Sequence, residues 1–289
     1  MNIRDLKYLV AVSEELNFGK AAKKSFVSQP TLSMQLKKLE EELGVAVFER
    51  TNKSVMLTEV GKDIADVAKK ILSEVDDIKE IAKNSADPFA GNLRLGIFPT
   101  LGPYFLPLIV PKIKKSLPKL QLLLIEKKTP EIIKDLESGE IDAALLALPV
   151  ESPLLSHFEI FSEPFYLAVE KNHPMAKLEK VTAKDLDGQP LLLLEDGHCL
   201  RSQALEVCSM MGSSEMEDFR ATSLETLRHM VASGVGMTLI PKLAVEKGDG
   251  IKYIPFSKNP PARRIGLFFR KSSPRVQLYK KLELLIKEV

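Results

Sequence analysis

The feature that most limits how this chain can fold is the run from Thr58 to about Asn84, where Ile64, Ala68, Ile71, Val75, Ile78 and Ala82 recur in alternating steps of four and three among lysines and carboxylates. That heptad spacing predicts one long helix with a narrow apolar stripe, better suited to pairing with a second helix than to burial in a core. Thr58-Glu59-Val60-Gly61 supplies its start, and Ser85-Ala86-Asp87-Pro88-Phe89-Ala90-Gly91 reads as the hinge after it. The helix divides the chain into an N-terminal domain at 1–58, a linker and dimerisation helix at 59–87 and a larger C-terminal domain at 88–289.

Upstream, the periodicity predicts helices from Arg4 to Glu15 and from Asn17 to Phe26. A third opens at Val27-Ser28-Gln29-Pro30-Thr31-Leu32-Ser33: Ser28 caps it, Pro30 fits the first turn, Leu32, Leu36, Leu39 and Leu43 form one apolar face, and Gly44 stops it. Two short helices with a tight turn have the form of a helix-turn-helix. Ser28, Gln29, Pro30, Thr31, Ser33, Gln35 and Lys37 are the candidate DNA-facing set, since small polar groups and Gln read base edges while lysines pair with phosphates. Val47 to Leu57 looks like a hairpin wing carrying Arg50 and Lys53, and Lys20, Lys23, Lys24, Lys37 and Lys38 are placed to extend one basic face. With a formal net charge of only +2, any basic surface must be local.

From Asn92 the period changes. Strands at 93–97, 120–127 and 141–148 alternate with helices at 103–116 and 130–138, which predicts an α/β lobe with a parallel sheet. A second lobe spans about 163–263, with strands at 165–170, 191–194 and 237–240 and helices at 199–208 and 224–233. The first lobe, about 88–162, is completed by 264–289. Such two-lobed folds bind ligands in the cleft between the lobes. No run of about 18 apolar residues occurs, and Met1-Asn2-Ile3-Arg4-Asp5 lacks the apolar core of a secretion signal, so a cytoplasmic location without a membrane is expected. His157, His173, His198 and His229 lack metal-ligand spacing and no phosphate-binding glycine loop appears, so neither metal nor cofactor is expected.

Two cysteines remain, in Glu195-Asp196-Gly197-His198-Cys199-Leu200-Arg201 and at Cys208. In a reducing compartment such a pair is more often catalytic or sensing than structural. His198 and Arg201 are positioned to favour the Cys199 thiolate. Asp196 or Gly197 is expected to cap a helix from Cys199. Nine residues along it place the thiols roughly 13 Å apart on opposite faces, while a disulfide needs Cα atoms within about 7 Å, so joining them requires the helix to unwind. Two unrelated buried cysteines are the competing reading.

Ala21-Ala22, Val27 to Ser33, Leu39-Glu40, Leu43-Gly44, Phe48-Glu49-Arg50-Thr51, Leu57-Thr58 and Gly61 together resemble the winged helix-turn-helix signature of LysR-type transcriptional regulators. The two-lobed remainder resembles that family's periplasmic-binding-protein-like effector domain. Gly96-Ile97-Phe98-Pro99-Thr100, Gly102-Pro103-Tyr104, the block around Cys199, Cys208 and Phe219 to Arg228 are similar to the peroxide-sensing members.

The resemblance implies a peroxidatic Cys199 oxidised by hydrogen peroxide to a sulfenic acid, and a resolving Cys208 that closes an intramolecular disulfide. Thr100 and Thr129 are implied as pocket hydroxyls, His198 as a group that orients or deprotonates the thiol, and Arg201 as a charge that stabilises thiolate or leaving hydroxide. One of Arg263 and Arg264 corresponds to a pocket arginine. Implied partners are double-stranded promoter DNA of antioxidant genes, RNA polymerase, a second copy in a homodimer or homotetramer, and a thiol reductant such as glutaredoxin with glutathione, or thioredoxin. Ser202 and Ser209 depart from the family's usual acid and aromatic, which bears on how the oxidised segment packs. The protein is expected not to be an enzyme. The alternatives are a LysR-type regulator responding to a metabolite in the cleft, and a thiol peroxidase, against which the DNA-binding head and linker helix argue.

Overall fold

The computed structural model describes residues 1–50, 55–84, 87–257 and 260–288, and the chain divides after Asp87 into two compact units. In the first, α1 (Ile3–Glu15), α2 (Phe18–Lys24) and α3 (Gln29–Leu43) precede an antiparallel wing, β1 (Phe48–Arg50) and β2 (Val55–Leu57), and then α4 (Glu59–Asn84). Side chains fix each helix start: Asn2 accepts from the backbone N–H groups of Arg4 and Asp5, Asn17 from Lys20, Ser28 from Thr31 and the Thr58 hydroxyl from Gly61. α2 ends at Lys24 rather than at Phe26, because Phe26 takes a left-handed φ of 54°, and its N–H and that of Val27 close back on the carbonyls of Lys23 and Ala22. Leu9, Val12, Ala21, Leu32, Leu36 and Leu39 form this unit's core, and Ala65 and Ala68 of α4 close it. The expected seam on α4 is therefore split. Ala68 packs into its own unit with Ile64 beside it, whereas Ile71 and Ile78 are 37% and 65% exposed.

The second unit comprises β3 (Gly91–Ile97), α5 (Gly102–Ser116), β4 (Leu120–Glu126), α6 (Thr129–Ser138), β5 (Ala143–Ala147) and β6 (Leu155–Glu170), then α7 (Ala183–Leu186), β7 (Pro190–Leu194), α8 (Cys199–Met211) and β8 (Ser214–Ala221). It finishes with α9 (Leu224–Ala232), β9 (Thr238–Pro241), β10 (Ile251–Pro255), β11 (Ala262–Arg270) and α10 (Val276–Lys287). The main sheet runs β10-β6-β11-β5-β3-β4, with β9 also on β6. Its β4, β3 and β5 are parallel, as the alternation of strands and helices predicts. The sheet is nevertheless mixed, correcting the all-parallel expectation: β11 lies antiparallel to β5, and β6 antiparallel to β11.

A second correction concerns β6. The strand expected from Phe165 begins ten residues earlier, at Leu155. Its first part pairs with β11, and its last part with β9 and β10, so one strand belongs to both lobes. One core gathers around Ile97, Phe98, Leu145 and Leu267, the other around Leu167, Leu193, Leu227 and Ile240. In the second lobe, β7 and the unanticipated β8 form a parallel pair, and α8 is the crossover between them. The segment holding both cysteines is thus hydrogen-bonded into the lobe at each end.

Candidate redox site and nucleic-acid interface

Arg263 on β11 and Glu163 on β6 face each other where these two strands pass between the lobes. Both are buried, and the Arg263 Nε donates to Glu163 Oε2 at 2.6 Å. The other Glu163 oxygen accepts the Leu243 N–H at 2.7 Å. The guanidinium then reaches the first lobe, donating to the Thr100 hydroxyl and to the Thr100 carbonyl, each at 3.1 Å, and it lies 5.3 Å from the centroid of the Phe98 ring. Thr100 does not cap α5, whose N-cap is Leu101. It is buried against Arg263. The choice between the paired arginines is settled by strand alternation: Arg263 points inward, and Arg264 points out to Glu159.

Cys199 is the first residue of α8 and a free thiol. The residue keeps part of its surface exposed, but burial of the sulfur pushes the thiol pKa up. The Arg263 charge, the Thr129 and Thr100 hydroxyls and the Leu200 backbone N–H oppose this and favour thiolate. Thr129 approaches the sulfur without completing a hydrogen bond.

Neither neighbour expected to activate the thiol does so here. Arg201 lies two residues on, about 200° around the helix from Cys199, so it faces away. Its guanidinium is taken up by Asp196 at 2.9 Å, the Leu194 carbonyl at 3.0 Å and both oxygens of Glu215 at 2.7 and 2.8 Å. His198, rather than Asp196 or Gly197, is the N-cap of α8, and it makes no side-chain cap bond because its ring turns to the Thr222 backbone. Burial, reinforced by the Lys128 charge, lowers the His198 pKa, which leaves the imidazole neutral near pH 7. Lys128 pairs with Glu195 at 2.5 Å.

Cys208 is buried further along α8. Burial raises its pKa too, and the nearby Ser213 hydroxyl opposes this without completing a hydrogen bond. Both thiols therefore lie on one intact helix, and Arg201 ties its first turn to the ends of β7 and β8 through Leu194 and Glu215. Beside Cys199 opens a cleft of about 440 Å³, walled by Thr129, Pro130, Leu148 and Pro149 from one lobe and by His198, Ser202, Gln203 and Glu206 from the other.

Sequence reasoning missed Glu163, Glu215 and Lys128. Each acts through a partner distant in sequence, so no local pattern marks it. Among the described residues no group of His, Cys, Asp and Glu is arranged to hold a metal, and no helix is long and apolar enough to cross a membrane.

In the first unit, Gln29, Pro30 and Thr31 are exposed at the start of α3, while Ser28 is engaged in its cap. Ser33 and Gln35 are half-buried, and Lys37 and Lys38 are exposed, Lys37 with Glu41 3.8 Å away. Lys24 does not join the expected basic face, because Glu14 and Glu15 hold it at 2.7 and 3.3 Å. Arg50 ends β1, and Lys53 lies outside the described residues.

Residues 3–62 match the family model for the bacterial regulatory helix-turn-helix protein of the lysR family, and residues 86–288 the model for the LysR substrate binding domain. The DNA-binding transcriptional dual regulator OxyR of Escherichia coli K12 is 47% identical over 98% of this chain and 93% of its own length. The hydrogen peroxide-inducible genes activator of Dickeya chrysanthemi is 46% identical over 100% of this chain and 95% of its own. Among solved structures, full-length OxyR C199D from Pseudomonas aeruginosa superposes with a TM-score of 0.82 at 36% identity, covering 99% of this chain and 95% of that one. With the two models together matching residues 3–62 and 86–288, and relatives of this likeness over nearly the whole length, the chain belongs to the LysR family of bacterial transcriptional regulators, in its OxyR group.

Proposed function

We infer that this chain is a hydrogen-peroxide-sensing transcriptional regulator whose signal is the joining of Cys199 to Cys208. The observation that carries the reading is the setting of Cys199, a free thiol at a cleft mouth with Arg263, Thr100, Thr129 and the Leu200 N–H converging on it. In the first step the Cys199 sulfur attacks one peroxide oxygen, the O–O bond breaks, sulfur is oxidised to sulfenic acid and the second oxygen leaves as water with the thiol proton. In the second, the Cys208 sulfur attacks the sulfenic sulfur, the disulfide forms and a second water leaves. Arg263 and the two hydroxyls hold negative charge on sulfur and on the departing oxygen. α8 cannot remain helical with its first and tenth residues bonded, so the second step remodels the crossover between β7 and β8.

Next to that crossover lie Phe219 and α9, and repacking there would turn effector domains against each other and shift the spacing of paired heads on double-stranded promoter DNA. On this reading the protein works in the cytoplasm as a homotetramer assembled from dimers, contacts RNA polymerase, and is reset by a thiol reductant such as glutaredoxin with glutathione, or thioredoxin. It is a stoichiometric sensor, not a turnover peroxidase.

The test is mass spectrometry of the reduced protein after about one equivalent of hydrogen peroxide. Loss of two hydrogens, abolished by Cys199→Ser and replaced by a trapped sulfenate in Cys208→Ser, is expected. Thiols that stay reduced contradict the reading.

A further inference from the structure

α3 has one face in the core of the head and one in solvent. Leu32, Leu36 and Leu39, each at most 2% exposed, form the inner face. Met34 stands opposite them, 50% exposed and outside that core. It follows Leu32 by two residues, about 200° around the helix, which puts it at the centre of the outer face. Pro30 and Thr31 one turn before it and Lys37 and Lys38 one turn after it are exposed as well, while Ser33 and Gln35 at its sides are half-buried. From 28 to 38 the exposed residues are Ser28, Gln29, Pro30, Thr31, Met34, Lys37 and Lys38. Met34 and Pro30 are the two apolar ones, four residues apart and so stacked along one side of the helix. Met34 falls outside a set chosen for hydrogen bonding, because its thioether is at most a weak acceptor.

A recognition helix enters the major groove by its N-terminal turns. Met34 is the sixth residue of α3, about 7–8 Å along the axis from Gln29 and within those turns. The base edges in that groove are donors and acceptors, with one apolar group among them, the C5 methyl of thymine. We propose that Met34 is a specificity-determining residue of the DNA-binding head, reading thymine by packing its side chain on that methyl. The long unbranched thioether chain adapts to an irregular surface, and Pro30 extends the apolar contact by one turn. Lys38, exposed on the same outer face, supplies charge for phosphate and carries no base preference of its own. Cytosine lacks the methyl and offers an amino donor that a thioether takes up poorly. The contact belongs to the head alone and does not depend on what Cys199 reacts with.

The probe is a set of duplexes selected from a randomised library by the reduced full-length protein. Each thymine in a selected site is replaced in turn by uracil, which removes the methyl and leaves every hydrogen-bonding group in place, and binding is read by fluorescence anisotropy at one fixed salt concentration. One position per half-site is expected at which the change weakens binding by about fourfold, the worth of one methyl taken out of water. At that position alone, Met34→Ala should bind the thymine and uracil duplexes equally, and Met34→Leu should restore most of the preference. Lys38→Gln should weaken both duplexes alike, with the salt slope lowered by about one and the fourfold ratio kept. Should Met34→Ala bind no DNA, Met34→Gln, which keeps the length and loses the apolar tip, carries the same comparison. A uracil scan without a sensitive position, or one that is the same in the unsubstituted protein and the Met34 variants, overturns the proposal, as does the absence of a preferred thymine from the selected sites.

Discussion

A guanidinium with no exposed surface needs a carboxylate beside it, and Arg263 has Glu163 at 2.6 Å, itself 2% exposed. Removing the cation strands the carboxylate, so Arg263→Gln should cost about 3–5 kcal/mol in denaturant unfolding. The same change should slow Cys199 oxidation about a hundredfold, read by stopped-time alkylation, because the charge that favours thiolate is gone. The pH dependence follows from two opposite shifts. Burial raises the Cys199 pKa, so the reactive thiolate is the minor form at neutral pH, and the oxidation rate should rise about tenfold per pH unit above it until the folded pKa is reached. His198 is shifted down. The unfolded chain therefore binds its proton first, and the contribution of this group, present above about pH 6.5, is lost as the pH falls towards the folded value. Urea titrations at pH 7.5 and 5.5 should show that loss, and His198→Asn should reduce it. The sequence placed Cys199, Thr100 and Thr129 near one another only through resemblance. It misread Arg201, where adjacency suggested contact but a helical step of two residues turns a side chain away. Choosing between Arg263 and Arg264 required the face of β11, which no local pattern supplies.

α8 is held at its N-terminal turn by the bidentate Arg201–Glu215 pair, which Arg220 also joins at 3.0 Å. Burial disfavours the Glu215 carboxylate, but Arg201 holds its pKa below the ordinary value. Glu215→Gln should weaken this tether by about 1–3 kcal/mol. It should leave sulfenate formation unchanged while speeding disulfide closure, as the helix opens more readily. In the head, a Cβ at Gly61 would stand 2.1 Å from the Val47 carbonyl oxygen, with rigid backbone on that side. Gly61→Ala should therefore push α4 off the wing and lower the thermal midpoint of the head by several degrees, about 2 kcal/mol in size. Helix starts and stops were largely legible because caps are local: Asn17, Ser28 and Gly44 act within a turn of themselves. The first half of β6 was not. Ser156, His157, Glu159, Ser162 and Glu163 dilute its apolar alternation, and Pro164 looks like a break, yet the strand continues because β11 pairs along it.

At the scale of the whole chain, a helical head with its long helix and an α/β remainder in two lobes were readable from periodicity, while DNA binding and the effector role came from side-chain chemistry and family resemblance. The mixed sheet was not, since pairing between β6 and β11 joins residues about a hundred positions apart. The central claim is that one chemical event at Cys199 is converted into a structural one in α8. Hydrogen exchange of the full-length protein before and after about one equivalent of hydrogen peroxide tests it most directly. The account predicts that amides of residues 199–211 lose protection in the oxidised protein, that those of β3 and β5 keep theirs, and that Cys208→Ser, which stops at the sulfenate, keeps α8 protected. Formation of the Cys199–Cys208 disulfide with α8 amides still protected would contradict it.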